Sequence, residues 1–175
     1  MAKLIAITGT HGTGKTTLSF QLAAEYKKLG ANVKIIQEVA RSCPFPLNEN
    51  MTCETALWIY HEHSKKELEA CRDHDVVICD RTSFDSFVYA ECLDLDINIG
   101  LKACALSHLY DYDYIYFVRP KITSGITPDG VRSTSIEFQV KVDYLFEKHL
   151  SYAKHSIINS PQIFDKDHKW NISYP

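Results

Sequence analysis

Eight consecutive residues, Gly9-Thr10-His11-Gly12-Thr13-Gly14-Lys15-Thr16, carry the spacing G-x-x-x-x-G-K-[ST]. Glycines in such a run open backbone angles closed to other residues, so successive N–H groups can turn inward around an anion. A helix starting near Lys15 adds the positive end of its dipole. Lys15 supplies a mobile charge to outer phosphates. The Thr16 hydroxyl is a suitable magnesium ligand, and Thr17 stands where an inner phosphate would pass. The chemistry of the run is that of gripping a polyphosphate tail. His11, at a variable position of the run, shapes the loop.

A second set of residues is marked by position rather than by a motif. Glu38 and Arg41 follow a short apolar run within Q-E-V-A-R, and Asp80 and Arg81 follow another within C-D-R-T-S. Arg119 follows a third run, and Arg132 sits in the loop beyond it. In an open parallel sheet ligands bind at the carboxyl ends of the strands, where all of these would stand. Carboxylates there hold magnesium or orient an attacking hydroxyl, and arginines neutralise charge on a transferred phosphoryl group. Asp80 closes four apolar residues, Val76 to Cys79, which is the Walker B pattern and makes it a candidate magnesium ligand. Whether Glu38 or Asp80 acts as the base is open at this level.

The elements that must position these groups alternate along the chain. Strands are expected over Lys3–Thr8, Asn32–Gln37, Asp75–Asp80, Asp113–Val118 and His155–Asn159, with an edge strand around Trp170–Tyr174. Helices are expected over Lys15–Leu29, Thr52–Asp73, Thr82–Leu93, Leu101–Tyr110 and Ser135–Lys154. Leu18, Leu22, Ala23 and Tyr26 form the apolar side of the first helix, and Gly30 stops it. Glu38–Asn50 reads as a loop broken by Pro44 and Pro46. This alternation points to one α/β domain over residues 1–175, a parallel sheet covered by helices on both faces. On the second helix, Trp58 offers a ring that would stack on a base beside the acceptor site. His61 and His63 are two apart and face different ways, so they do not form a metal pair.

Composition excludes several alternatives. In 175 residues, 45% are hydrophobic and 23% charged, which rules out a disordered, collagen-like or coiled-coil chain. With 19 Lys and Arg against 22 Asp and Glu, the net charge is −3, with no basic surplus to hold a long nucleic-acid backbone. The six cysteines form no C-x-x-C pair, which excludes a zinc knuckle or a thioredoxin-type motif. The apolar run at the amino terminus is too short for a signal peptide or a membrane span, so a cytoplasmic chain with reduced thiols is expected.

With these residues in place, the chain resembles the P-loop kinase group of nucleoside and nucleoside monophosphate kinases. It is most similar to the ribosylnicotinamide kinase domain of bacterial NAD-biosynthesis regulators and related small AAA-type ATPases. The likeness rests on Gly9–Thr16, the Q-E-V-A-R stretch, W-x-Y-H at Trp58–His61, the strand ending at Asp80, and the loop Pro128-Asp129-Gly130-Val131-Arg132-Ser133. The resemblance implies a three-layer P-loop NTPase fold with a five-stranded parallel sheet in the order 2-3-1-4-5. It implies a lid over about residues 119–134 that closes on ATP, with Arg132 reaching the phosphates and Asp80 in the magnesium shell. Glu38, Arg41, Trp58, Arg81 and Arg119 would then face the acceptor, Arg81 at its phosphate or 5′-oxygen. The Asp80-Arg81-Thr82 triplet looks more like the nucleotide-kinase branches, which leaves nicotinamide riboside, another nucleoside and a nucleoside monophosphate open as acceptors. The activity implied is ATP- and Mg2+-dependent phosphoryl transfer. The alternative is a nucleotide-binding ATPase or GTPase switch with no small-molecule acceptor, although no guanine-reading N-K-x-D is present.

Overall fold

A computed structural model describes residues 2–97, 99–120, 126–151 and 157–159. The first strand, β1 (Lys3–Thr8), is buried from Leu4 onward. Successive side chains of a strand point to opposite faces, so a continuous apolar run needs cover on both sides. Ile5 and Ile7 join one core with Leu18, Leu22, Ala23 and Tyr26 of α1 (Lys15–Lys28). Leu4 and Ala6 join the other. That second core takes Phe84, Phe87 and Val88 from α3 (Ser83–Cys92) and Phe138, Val142, Leu145 and Phe146 from α5 (Ile136–Leu150). Ala70 of α2 (Cys53–Asp73) and Ala105 of α4 (Ile99–His108) complete it.

The strands β2 (Val33–Ile36), β3 (Val76–Asp80) and β4 (Tyr114–Phe117) flank β1, all pairs being parallel. With the short β5 (Ile157–Asn159), paired in parallel with the outer edge of β4, they make a five-stranded sheet in the order β2-β3-β1-β4-β5, the order the resemblance implies. The expected strand around Trp170–Tyr174, the end of the last helix at Lys154 and part of the expected lid (residues 121–125) lie outside the described residues.

Helix starts follow local chemistry. Thr52 caps α2 and Thr82 caps α3, each with a reciprocal box to the residue three positions on, and Ser135 caps α5. α1 differs: it begins after Gly14, in the left-handed region at φ +85°, with no side-chain cap on its first turn. Its free N–H groups are thus left for an anion. The expected loop after β2 contains two 3-10 turns, Val39–Ser42 and Asn48–Asn50. Among the described residues no helix is long and apolar enough to cross a membrane. All six cysteines are free thiols.

Candidate active site

The P-loop leaves β1 through Gly9, at φ +128°. A Cβ there would stand 2.4 Å from the Val118 carbonyl oxygen, so only glycine lets the loop pass the end of β4 this closely. Lys15 is 5% exposed, and its Nζ donates to the Thr10 carbonyl and, at 3.2 Å, to Thr13 Oγ1. Burial, reinforced by the Arg81 guanidinium, pulls the Lys15 ammonium down to about 7. Thr16 Oγ1 donates to Asp80 Oδ2 at 2.6 Å. Burial raises Asp80, opposed by that hydrogen bond and by Lys15. The Thr16 hydroxyl and the Asp80 carboxylate thus place two hard oxygens side by side, the donor type magnesium selects.

The other end of the cavity is organised around Arg81. This residue lies at φ +84°, a costly conformation without glycine, while its N–H still bonds the Ile7 carbonyl at 2.9 Å. The backbone thereby swings the guanidinium over the sheet end. Its Nε donates to Glu38 Oε1, and Nη1 lies 3.3 Å from Asp85 Oδ2 and 3.4 Å from the Gly9 carbonyl. The same guanidinium sits over the Tyr89 ring, 5.5 Å from its centroid. Burial alone would raise Glu38, but Arg81, Lys15 and Arg41 outweigh it and hold the carboxyl at about 2. Asp85 also accepts from Thr8 Oγ1 and Thr82 Oγ1, both at 2.6 Å, which ties α3 to the end of β1.

The residues before α5 close over this arrangement. Asp129 Oδ2 meets Arg41 Nη2 at 2.5 Å and Arg132 Nη2 at 2.9 Å, while its Oδ1 accepts the N–H groups of Val131 and Arg132. The Arg41 hydrogen bond, followed by the Arg132 N–H, holds Asp129 well below the usual carboxylate range. Asn48 donates to the Val131 carbonyl, and Ser133 to Glu49. The segment before α5 is therefore pinned to the loop between β2 and α2.

One cavity of about 280 Å3 joins these parts. Of the residues singled out from the sequence, His11, Gly12, Thr13, Gly14, Lys15, Thr16, Thr17, Glu38, Arg41, Asp80, Arg81 and Arg132 line it. Gly9 and Thr10 lie behind the wall, where they bond Arg81 and Lys15 through their carbonyls. His11 is buried, with Nδ1 3.1 Å from the Tyr89 hydroxyl and Nε2 without a partner among the described residues. Burial, then Arg81 and Lys15, lowers its imidazole to about 4, so it stays neutral beside the phosphate cradle.

Besides Gly9 and Thr10, two expected residues do not reach the cavity. Arg119 bonds Asp143 at 2.7 Å and Glu147 at 2.7 Å on α5 and lies over the Phe117 ring, which turns it away. Trp58 packs against the second core, because one step along a helix rotates a side chain by about 100° and α2 presents Ile59 and His63 instead. Sequence reasoning missed Asp85, Tyr89 and His63. The signal for the first was the T-x-x-D capping box at Thr82, and for the second the four-residue step from Asp85 to Tyr89 on one helix face.

The profile of the AAA-domain family matches residues 4–164. Among curated proteins, none matches the chain by sequence. Among solved structures, deoxyadenosine kinase from M. mycoides with products dCMP and a flexible dCDP bound is similar, at 18% identity and a TM-score of 0.62 over 89% of this chain and 88% of that one. The same enzyme with bound dATP gives 17% identity and a TM-score of 0.61, over 90% of each chain. NadR protein in complex with NAD and AMP-PNP gives 17% identity and a TM-score of 0.62 over 91% of this chain but 45% of that one. These likenesses establish a shared fold, that of P-loop kinases.

Proposed function

The chain belongs to the AAA-domain family, and from that premise we propose that it is a kinase carrying the γ-phosphoryl group of ATP to a small nucleoside-like or nucleotide acceptor. One observation carries the reading: a single cavity is lined at one end by the phosphate cradle Gly12–Thr17 and at the other by Glu38, Arg81 and an apolar floor of Met51 and Ile59. A switch protein needs only the first end. The resemblance to kinases that bind deoxynucleotides supports the reading, as does the paired use of Glu38 and Arg81.

In this reading the P-loop backbone and Lys15 hold the β- and γ-phosphates. Thr16 and Asp80 would hold Mg2+, which supplies charge neutralisation between the outer phosphates when bound. Glu38, kept ionised by Arg81 and Arg41, accepts a hydrogen bond from the acceptor hydroxyl and aims its oxygen at the γ-phosphorus. A loose transition state asks little proton removal of it, so a carboxylate at about 2 suffices to orient. Arg132 leaves Asp129 to meet charge on the transferred group. The lid, about residues 119–134, excludes water and suppresses wasteful hydrolysis.

A coupled ADP-release assay across nucleosides, nicotinamide riboside and nucleoside monophosphates tests the proposal. We expect at least one acceptor to raise turnover well above the basal rate. If none does while ATP is bound and slowly hydrolysed, the kinase reading fails and the switch reading takes its place.

A further inference from the structure

The buried polar groups that the reaction above leaves unused fall in two places. One is a network on the Glu67 carboxylate of α2: His63 Nε2, Cys79 Sγ and the Tyr112 hydroxyl meet its Oε1, and His108 Nε2 lies 2.9 Å from Oε2. Its members bond one another and tie α2 to β3 and α4. The other is Gln139, one turn into α5 and 8% exposed. It stands at no strand end and in no motif, yet it holds the P-loop twice. Its Nε2 donates to the His11 carbonyl at 2.7 Å, and its own carbonyl accepts from Thr10 Oγ1 at 3.2 Å. Only the amide nitrogen can bond a carbonyl, so the first of these contacts fixes which way the side-chain amide is turned. Beside it, the Phe138 ring stacks on the His11 ring, 5.8 Å between centroids.

The next residue, Gly12, lies at φ +72°. Glycine lets the chain take that angle, but it equally lets the His11–Gly12 peptide turn over, because no Cβ obstructs the rotation. The peptide is trans, and a trans unit carries its C=O and N–H on opposite sides. Gly12 lines the cavity and Gln139 does not. With the His11 carbonyl drawn outward to α5, the Gly12 N–H is turned to the cavity. Turned over, the same peptide would present an oxygen to a phosphate, a repulsion in place of a hydrogen bond. A donor aimed before the anion arrives needs no reorientation on binding, and that saving appears as affinity.

We propose that Gln139 is a positioning residue for the phosphate cradle, holding the His11–Gly12 peptide so that the Gly12 N–H donates to the bound polyphosphate. The helix that sets this amide is also the one that follows the arginine-bearing loop, with the Ser135 N–H bonded to Ser133 Oγ at 3.0 Å. The role rests on the reading of Gly12–Thr17 as a polyphosphate site and applies whether the phosphoryl group goes to an acceptor or to water.

The test uses the full chain, titrated with ATP and with inorganic tripolyphosphate. Gln139→Met removes the donor at nearly the same length, and Gln139→Glu puts an acceptor in its place. We expect both variants to weaken both ligands by the same factor, about tenfold or more, at a melting temperature close to that of the wild-type chain. A merely structural role distorts the cavity and costs ATP more than tripolyphosphate, which has no nucleoside; that outcome overturns the proposal. Gln139→Glu carries a second signature. Burial raises its carboxyl, and once protonated it regains a donor, so its deficit should close as pH falls toward about 5, to less than that of Gln139→Met at the same pH. Recovery that stops at the Gln139→Met level reports only the loss of a charge and overturns the proposal. Should neither variant fold, 15N-glycine labelling of the wild-type chain marks only seven residues and reads the Gly12 amide directly. Its proton should move downfield on adding tripolyphosphate, and an unmoved signal overturns the proposal. Variants that bind like the wild-type chain overturn it alone. A wild-type chain that binds neither ligand overturns the polyphosphate reading first, and the role of Gln139 with it.

Discussion

The two walls of the cavity hold their charges by different means. On the P-loop wall, Lys15 and Asp80 are fixed by burial, at 5% and 3% exposed, in a loop whose path Gly9 sets and with Thr16 bonded to Asp80. On the opposite wall, Arg41 and Arg132 meet on Asp129, and their side chains are 42% and 30% exposed. Buried groups have few alternative partners and water does not screen them, whereas half-exposed ion pairs exchange readily with salt and solvent. In the proposed reaction the first wall serves as a preformed mould for phosphate, and the second as a latch that releases its arginines to a substrate.

Five experiments break or sharpen this contrast. The largest effect is expected on the mould. Gly9→Ala places a Cβ against the Val118 carbonyl at an unfavourable φ and should cost at least about 3 kcal/mol in urea unfolding. Gly130→Ala on the latch meets nothing within 4 Å and should cost only about 1 kcal/mol, for its φ of +82°. Comparable costs at the two sites would erase the distinction. Next, Lys15→Met should lower turnover by about 10^2- to 10^3-fold with no fall in melting temperature. Arg132→Ala should slow transfer by about 10- to 100-fold in single turnover while nucleotide titration shows little change. Equal losses in both would place Arg132 in ground-state binding.

The fourth experiment is pH dependence. The Lys15 ammonium titrates at about 7 in the fold against 10.5 in a free chain, so between those values the unfolded chain binds the extra proton. Stability should therefore rise with pH across about 7 to 10.5 and be lowest below 7, where a charge is buried. Bound phosphates restore the proton, so calorimetry in buffers of differing ionisation enthalpy should show proton uptake with nucleotide above pH 7. Lys15→Met should abolish both effects. The smallest effect is expected at Asp129→Asn, about 0.5–1 kcal/mol of lid closure, and high salt should mimic it in the wild-type chain. A salt-insensitive loss would mean that the latch is not electrostatic.

Much of this contrast is legible in the residues. The spacing Gly9 to Thr16 marks the mould, and the strand-end rule finds Glu38, Asp80 and Arg81, because both depend on local chain geometry and on a sheet that the apolar runs announce. Arg119 and Trp58 went astray because the direction of a single side chain depends on its neighbours. A guanidinium at a strand end goes to the nearest carboxylates, here Asp143 and Glu147, which are distant in sequence. The network on Glu67 joins α2, β3, α4 and the 3-10 turn after α4, and no local pattern writes it.

The amino-acid order alone determines that the chain makes parallel strands between helices and a glycine-rich turn ahead of the first helix, since hydrophobic period and glycine spacing act within a few residues. Only the folded arrangement decides which arginines face the cavity, that Asp129 gathers two of them, and that a buried carboxylate on α2 draws groups from three other elements. Those outcomes depend on charges brought together across the sheet, where burial and proximity, not sequence distance, determine which group keeps its charge.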